Sequence, residues 1–264
     1  MTVRPLEVCK IAEPLATTPW KVQVVDEVGS TNDEIKLAAL RGEPHGTVLF
    51  TESQTAGRGQ RSNRWLTPVG QDLMFSVLLR PSLPQALWPR LTTLAALAIC
   101  RSVESLLPLR PTIKWPNDLY VGRRKFAGLL ADTAVGAEGA FLVLGVGINV
   151  NAQSFPTELA GTATSLLQQM PASLQWVERE PLAATVLLEL HKWIDCWERG
   201  FDSALEEVRA RSLLLGQHIT ANFQGQQVTG KAQQLNDEGH LVIVQADGSY
   251  LVLSSAVEVR LLDT

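Results

Sequence analysis

The sequence predicts an α+β protein, with a larger region of apolar strands and helices up to about residue 210 and a small β-barrel after it. Two strongly apolar strand patterns, TVLFTES (47–53) and DLMFSVLLR (72–80), flank a glycine-spaced polar loop, and a Leu- and Ala-rich helical stretch covers 84–107. From residue 213 onward the pattern changes to five short strands separated by turn residues. A chain of 264 residues with 45% hydrophobic content can build one substantial core and a second small one.

Residues 1–19 carry Pro5, Pro14 and Pro19 with little periodicity and are expected to be an irregular lead-in, with no room for a DNA-reading helix-turn-helix. KVQVVDEV (21–28) alternates as a strand does and stops at Gly29; STNDEIKLAALRG (30–42) then reads as a helix closed by Gly42. Thr31 with Glu34, or Ser30 with Asp33, has the spacing of a capping box, although polar residues at a helix N-terminus can instead face a ligand. Beyond the long helix, PTIKWPNDLYVGRRKFAGLLADT (111–133) reads as a strand broken by Pro116, then a hairpin. It gathers Lys114, Asn117, Asp118 and Lys125 in one compact unit, which could equally be a proline turn with Asx bonding. FLVLGVGINVN (141–151) is an apolar strand whose Gly145 and Gly147 mark the close approach of a ligand or another backbone. Residues 156–210, including ATSLL, are expected to be mainly helical, which gives a larger domain over 20–210 and a barrel over 211–264.

Several function classes are excluded. The longest promising apolar run, 94–100, is far short of a membrane span, and the N-terminus lacks signal-peptide design, so a cytoplasmic protein is expected. A net charge of -4 argues against duplex nucleic acid. Cys9, Cys100 and Cys196 form no CxxC and the four histidines no HExxH, so neither disulfides nor a protein-only metal site is expected. GVG lacks the third glycine of a dinucleotide fingerprint, and there is no GxxxxGK[ST].

The stretch that asks for a function is QTAGRGQRSNRW (54–65), with Arg58, Arg61 and Arg64 and no acidic residue. Guanidinium forks suit phosphate and carboxylate, and Gly57 and Gly59 let the backbone come close, so the loop predicts an anionic ligand. Trp65, at its end, is core or ligand wall.

Together GSTND (29–33), ESQTAGRGQ (52–60), KWPND (114–118), KFAG (125–128), GVGIN (145–149) and ATSL (163–166) resemble the biotin protein ligases, in the family's order and across nearly the whole catalytic region. The resemblance implies a mixed-sheet catalytic domain of the biotin/lipoate ligase type joined to an SH3-like C-terminal β-barrel. It implies activation of biotin by ATP to biotinyl-5′-AMP, then transfer to a lysine of a biotin carboxyl carrier protein, with that of acetyl-CoA carboxylase as the expected partner. By the same resemblance Lys125 and Arg58 are catalytic, Lys125 contacting the biotin carboxylate and the α-phosphate. Ser30, Thr31, Asn32 and Gln54, with Gly57, Arg58, Gly59 and Gln60 of the loop, surround biotin, while Gly128 and Gly145 leave room for its rings. Arg61, Arg64, Trp65, Lys114, Asn117, Asp118 and Asn149 are implied for ATP, with Mg²⁺ carried by the nucleotide near Asn117 and Asp118.

Two departures accompany the match. Gln60 and Asn63 stand where the family usually has basic residues, so Gln60 cannot pair with Asp118, and the family's frequent N-terminal DNA-binding domain has no room, so no repressor function is expected. A lipoate or octanoate transferase and a non-catalytic biotin sensor are the competing readings, and pairing of strand edges into a homodimer stays open.

Overall fold

The computed structural model describes residues 4–60, 63–195 and 197–262. Two sheets organise them. Strands β1 (Lys21–Val28), β2 (Thr47–Gln54), β3 (Leu73–Leu79), β4 (Thr112–Lys114), β5 (Asp118–Val121), β6 (Arg124–Gly136) and β7 (Gly139–Ile148) form a seven-stranded sheet in the order β1-β2-β3-β7-β6-β5-β4. Only β1 and β2 run parallel, joined by helix α2 (Thr31–Leu40), so the sheet is mixed. Strands β8 (His218–Phe223), β9 (Gln226–Leu235), β10 (Leu241–Val244), β11 (Tyr250–Leu253) and β12 (Val257–Leu261) make an antiparallel five-stranded sheet, as the short-strand pattern after 213 predicts.

The period of two in the central strands decides what lies on each side. Val48 and Phe50 of β2, Phe75, Val77 and Leu79 of β3 and Leu142, Leu144 and Val146 of β7 face the large core, where helices α3 (Pro89–Leu106), α4 (Arg179–Asp195) and α5 (Trp197–Ala210) pack. Leu49, Leu78, Phe141 and Val143 face the other way and form a much smaller core with Ile35 and Ala39 of α2. One helix covers that second face only in part. No helix among the described residues is long and apolar enough to cross a membrane.

Two expectations are corrected. Part of the lead-in is helical: α1 (Val8–Ala12) and a 3-10 turn, Glu13–Leu15, bury Ile11 and Leu15 beside α4 and β1. Conversely, residues 156–178 are largely irregular apart from a short 3-10 turn at Leu167–Gln169, and regular helix begins only at Arg179. Cys9 and Cys100 are free thiols, and Cys196 lies outside the described residues.

A buried ion pair ties the lead-in, the sheet and α4 together. Arg179, 1% exposed, places Nη1 2.7 Å from Oε2 of Glu52 and donates to the Asp72 carbonyl at 3.0 Å and to the Arg4 carbonyl. Glu52 also accepts the Leu6 N–H. Nearby, Asp72 Oδ1 accepts the backbone N–H groups of Val150, Asn151 and Ala152, which turns the chain out of β7. Burial pushes the Asp72 carboxyl up to about 6 from its ordinary 3.8, against the opposing pull of those three N–H groups and Arg179.

Arg179→Met leaves Glu52 buried without its partner and should cost about 3–5 kcal/mol, read from urea unfolding. Because the folded-state value of Asp72 is raised, its contribution to stability is complete below pH 3.8 and lost as pH rises towards 6, on the order of 3 kcal/mol in all. Asp72→Asn keeps an acceptor for the turn and removes the charge, so the fall in unfolding free energy between pH 4 and 6 should flatten in that variant.

Candidate active site

The uncovered end of the α2 face carries the site. Two cross-strand rows run along it, Leu49–Ser76–Gly145–Leu130 and Thr51–Met74–Gly147–Gly128–Asp118–Lys114. Three of these positions are glycine, so the sheet is bare where a core would otherwise continue. The resulting cavity has a volume of about 260 Å³, near the lower end of small-molecule sites.

At one end of the cavity stand Ser30, Thr31 and Asn32, all buried at the start of α2. The expected capping box is not made, and no side chain caps the helix at Ser30. Thr31 and Asn32 turn instead into the sheet, where Thr31 N–H donates to Gln54 Oε1 at 2.8 Å. The Ser76 hydroxyl lies 2.7 Å from Thr31 Oγ1 and 2.6 Å from Asn32 Oδ1, and Asn32 Nδ2 donates to Asp132 Oδ2 at 3.0 Å. Ser76 is fully buried inside an apolar strand, and neither it nor Asp132 stands out in the sequence.

The glycines serve differently from expectation. A methyl at Gly145 would overlap the Asn32 amide, a methyl at Gly147 would overlap the Trp65 indole, and one at Gly128 would crowd Lys125 Nζ and Trp65 at 3.1 Å. The room at Gly145 and Gly128 is therefore taken by this chain's own side chains. Trp65 is a wall of the cavity and not core: it is half-buried, its indole N–H is buried with no partner among the described residues, and Lys125 Nζ lies 5.5 Å from its ring centroid.

The loop closes as a small hairpin, with Gly59 N–H to Asn63 carbonyl at 2.8 Å and Trp65 N–H to Gly57 carbonyl at 3.0 Å. Two of its arginines already have partners within the chain. Arg58 pairs with Asp33 at 2.6 Å and Asp132 at 3.1 Å, counter-charges far from it in sequence, while Arg64 donates to the Thr55 carbonyl at 2.8 Å. Arg61 lies outside the described residues.

Positive charge reaches the other end of the cavity from Lys114 and Lys125. Lys125 Nζ stands 2.5 Å from Asp118 Oδ1, across the strand pair that KWPND and KFAG form. Lys114 is half-buried, 3.4 Å from the Tyr120 hydroxyl; burial lowers its pKa, Asp118 opposes this, and Lys125 and Arg260 lower it further. Asn117 lines the cavity but donates Nδ2 to the Leu129 carbonyl at 2.6 Å, pinning β5 to β6.

The backbone of Lys125 is held on its other side by residues 162–164: its N–H donates to the Thr162 carbonyl and its carbonyl accepts the Thr164 N–H, both at 2.8 Å. ATSL is thus a brace for the lysine and not a piece of helix. Asn149 belongs to the same brace, with Nδ2 donating to the Thr164 carbonyl at 3.0 Å. Asn149 and Gly57 lie off the cavity wall, whereas Ser30, Thr31, Asn32, Gln54, Arg58, Gly59, Gln60, Arg64, Trp65, Lys114, Asn117, Asp118, Lys125, Gly128 and Gly145 all line it. A stretch absent from the sequence-based site, residues 256–259 at the start of β12, closes the wall from the second sheet.

A mixed sheet bearing an anion-suited end, a polar end and a glycine shelf, with a five-stranded β-domain at its rim, defines a protein of the biotin/lipoate A/B protein ligase class. The model of that family matches residues 26–149, and the model of the biotin protein ligase C-terminal domain matches 214–260. The chain is 34% identical to the biotin–[acetyl-CoA-carboxylase] ligase of Mycobacterium tuberculosis, covering 93% of this chain and 91% of that one. It is 32% identical to the bifunctional ligase/repressor BirA of Bacillus subtilis, over 88% of this chain and 72% of the relative. The structure of the biotin protein ligase of Aquifex aeolicus in complex with biotin and ATP superposes with a TM-score of 0.80 at 26% identity, over 92% and 99% of the two chains. The chain belongs to the biotin protein ligase family.

If the glycine shelf seats Trp65, Gly147→Ala should lift the indole and loosen the loop. Trypsin should then cut between 57 and 65 roughly tenfold faster, the factor for 1.4 kcal/mol of local opening, with little change in the urea midpoint.

Proposed function

We propose that this protein is an ATP-dependent biotin protein ligase, with residues 20–210 as the catalytic domain and 211–264 as the SH3-like domain. The observation that carries the reading is Lys125, a braced ammonium group between a neutral hydrogen-bonding pocket and a second cation, Lys114. Ser30, Thr31, Asn32 and Gln54 offer donors and acceptors to a cyclic urea, while Lys114 and Lys125 offer charge to phosphates. In the first step a biotin carboxylate oxygen bonds to the α-phosphorus of ATP as the bond to pyrophosphate breaks, giving biotinyl-5′-AMP. In the second, a carrier lysine amine bonds to the acyl carbon, AMP leaves with the electron pair, and the amine loses a proton.

Two anions repel as they meet, and Lys125 lowers that cost by lying between them. Asp118, 2.5 Å away, aims the ammonium before substrates arrive. Arg58, bound to two carboxylates, serves as the anchor of the loop over the ligand. Mg²⁺ arriving with ATP would neutralise phosphate charge, with Asp118 and Asn117 as the hard-donor side chains on that wall. No group of three His, Cys, Asp or Glu among the described residues could hold a metal. The name of the Mycobacterium tuberculosis relative supports a biotin carboxyl carrier of acetyl-CoA carboxylase as the protein substrate. The outer edge of β1, at the end of its sheet, is where a second copy would pair in a homodimer.

Biotin-dependent exchange of labelled pyrophosphate into ATP, followed by transfer to a carrier domain, tests the function; exchange driven by lipoate or octanoate and not by biotin would replace it. Lys125→Ala should slow exchange by about a hundredfold or more, in line with the loss of one transition-state donor, while circular dichroism stays unchanged. Gln60 lines the cavity without a charge, so Gln60→Arg should slow release of pre-formed adenylate; equal release rates would show that the charge is not missed.

A further inference from the structure

Asp132, on β6, is not among the residues implied for the ligand, yet it touches both Asn32 of the polar pocket and Arg58 of the loop. Its Oδ2 accepts from Asn32 Nδ2 at 3.0 Å and lies 3.1 Å from Arg58 Nη1. Its side chain is only 24% exposed, so water does not fully screen these contacts. We propose that Asp132 is a positioning residue that sets the hydrogen-bond polarity of the pocket and thereby its preference for a ligand with paired N–H donors. This rests on the biotin reading above.

The argument follows the protons. A carboxylate can only accept, so the Asn32 amide must present Nδ2 to Asp132 and Oδ1 to Ser76. Ser76 has one hydroxyl proton, and with Asn32 Oδ1 at 2.6 Å it donates there. Thr31 Oγ1, 2.7 Å away on the other side of Ser76 and 3.3 Å from Gln54 Oε1, has one proton to give to one of these two oxygens. Gln54 Oε1 is occupied by the Thr31 N–H. The remaining capacity is therefore fixed: Asn32 Oδ1 and Thr31 Oγ1 each keep a lone pair for a ligand N–H, and Gln54 Nε2, whose contact is the Met74 sulfur at 3.5 Å, is left to donate to a carbonyl. Acceptors beside a donor is the complement of a cyclic urea. Without the charge at 132 only the longer 3.4 Å contact with the Leu130 carbonyl still holds Nδ2, so the Asn32 amide can turn over and the chain of protons loses its sense.

The glycine at 145 supports the same reading. The Asn32 amide lies against its bare Cα, beside Ser76 on one neighbouring strand and Leu130 on the other, so the amide is sterically held while its orientation depends on hydrogen bonding.

The test is steady-state pyrophosphate exchange with the full chain and its Asp132→Asn, Asp132→Glu and Ser76→Ala variants. Asp132→Asn and Ser76→Ala should raise the KM for biotin roughly tenfold or more, the cost of a lost charge-assisted or buried hydrogen bond, while the KM for ATP moves less than about twofold. Asp132→Glu should recover part of the loss, and the preference for biotin over octanoate should narrow in Asp132→Asn. A biotin KM within about twofold of wild type, or a rise shared equally by biotin and ATP, overturns the assignment, the latter because it would mark Asp132 as a loop anchor only. Wild-type protein without biotin-dependent exchange would overturn the enzymatic reading and this one with it; wild-type exchange with an unaltered Asp132→Asn variant overturns this one alone.

Discussion

The pleat of the central sheet is the constraint behind the rest of the molecule. Successive side chains must point to opposite faces, so β3 and β7 cannot be apolar on one side without committing their alternate positions to the other. On the α3–α4 side those positions fill a large core; on the α2 side they give a small one and then run out into Ser76, Gly145 and Gly147. The active site is the part of the second face that α2 is too short to cover. Nothing had to be hollowed out of a packed interior, which keeps binding and stability largely on opposite sides of one layer.

What sits on that face is organised by charge compensation at short range. Lys125 has Asp118, Arg58 has Asp33 and Asp132, and Arg179 on the far side has Glu52. The exposed members of these pairs contribute little to stability by themselves. Their value lies in geometry, because each holds a flexible cation in one direction before a ligand arrives. Lys114 stands apart, with a phenol hydroxyl at 3.4 Å and a pKa lowered by burial.

Much of this was legible beforehand where function is written in local runs. The strand patterns at 47–53 and 72–80, the barrel after 213, and the motifs around Ser30, Lys125 and Gly145 all fall where the structure has them. The failures share one cause. Arg58 looked uncompensated because its partners are 25 and 74 residues away in sequence. ATSL looked helical because nothing local reveals that a strand-like segment will lie beside Lys125, a segment that Asn149 also holds. Ser76 and Asp132 passed as ordinary strand residues, and 256–259 as barrel edge, since only the register of strands brings them to the cavity.

That last contribution bears on what the site needs from the chain. The wall supplied by 256–259 belongs to β12 and its approach, whereas α2, which bears the opposite wall, lies far earlier in the sequence. The seven-stranded sheet and its glycine shelf are built from strands within residues 21–148, yet the rim depends on β12 pairing with β8, a contact with another part of the chain. Without that pairing the sheet offers a groove, and with it a chamber.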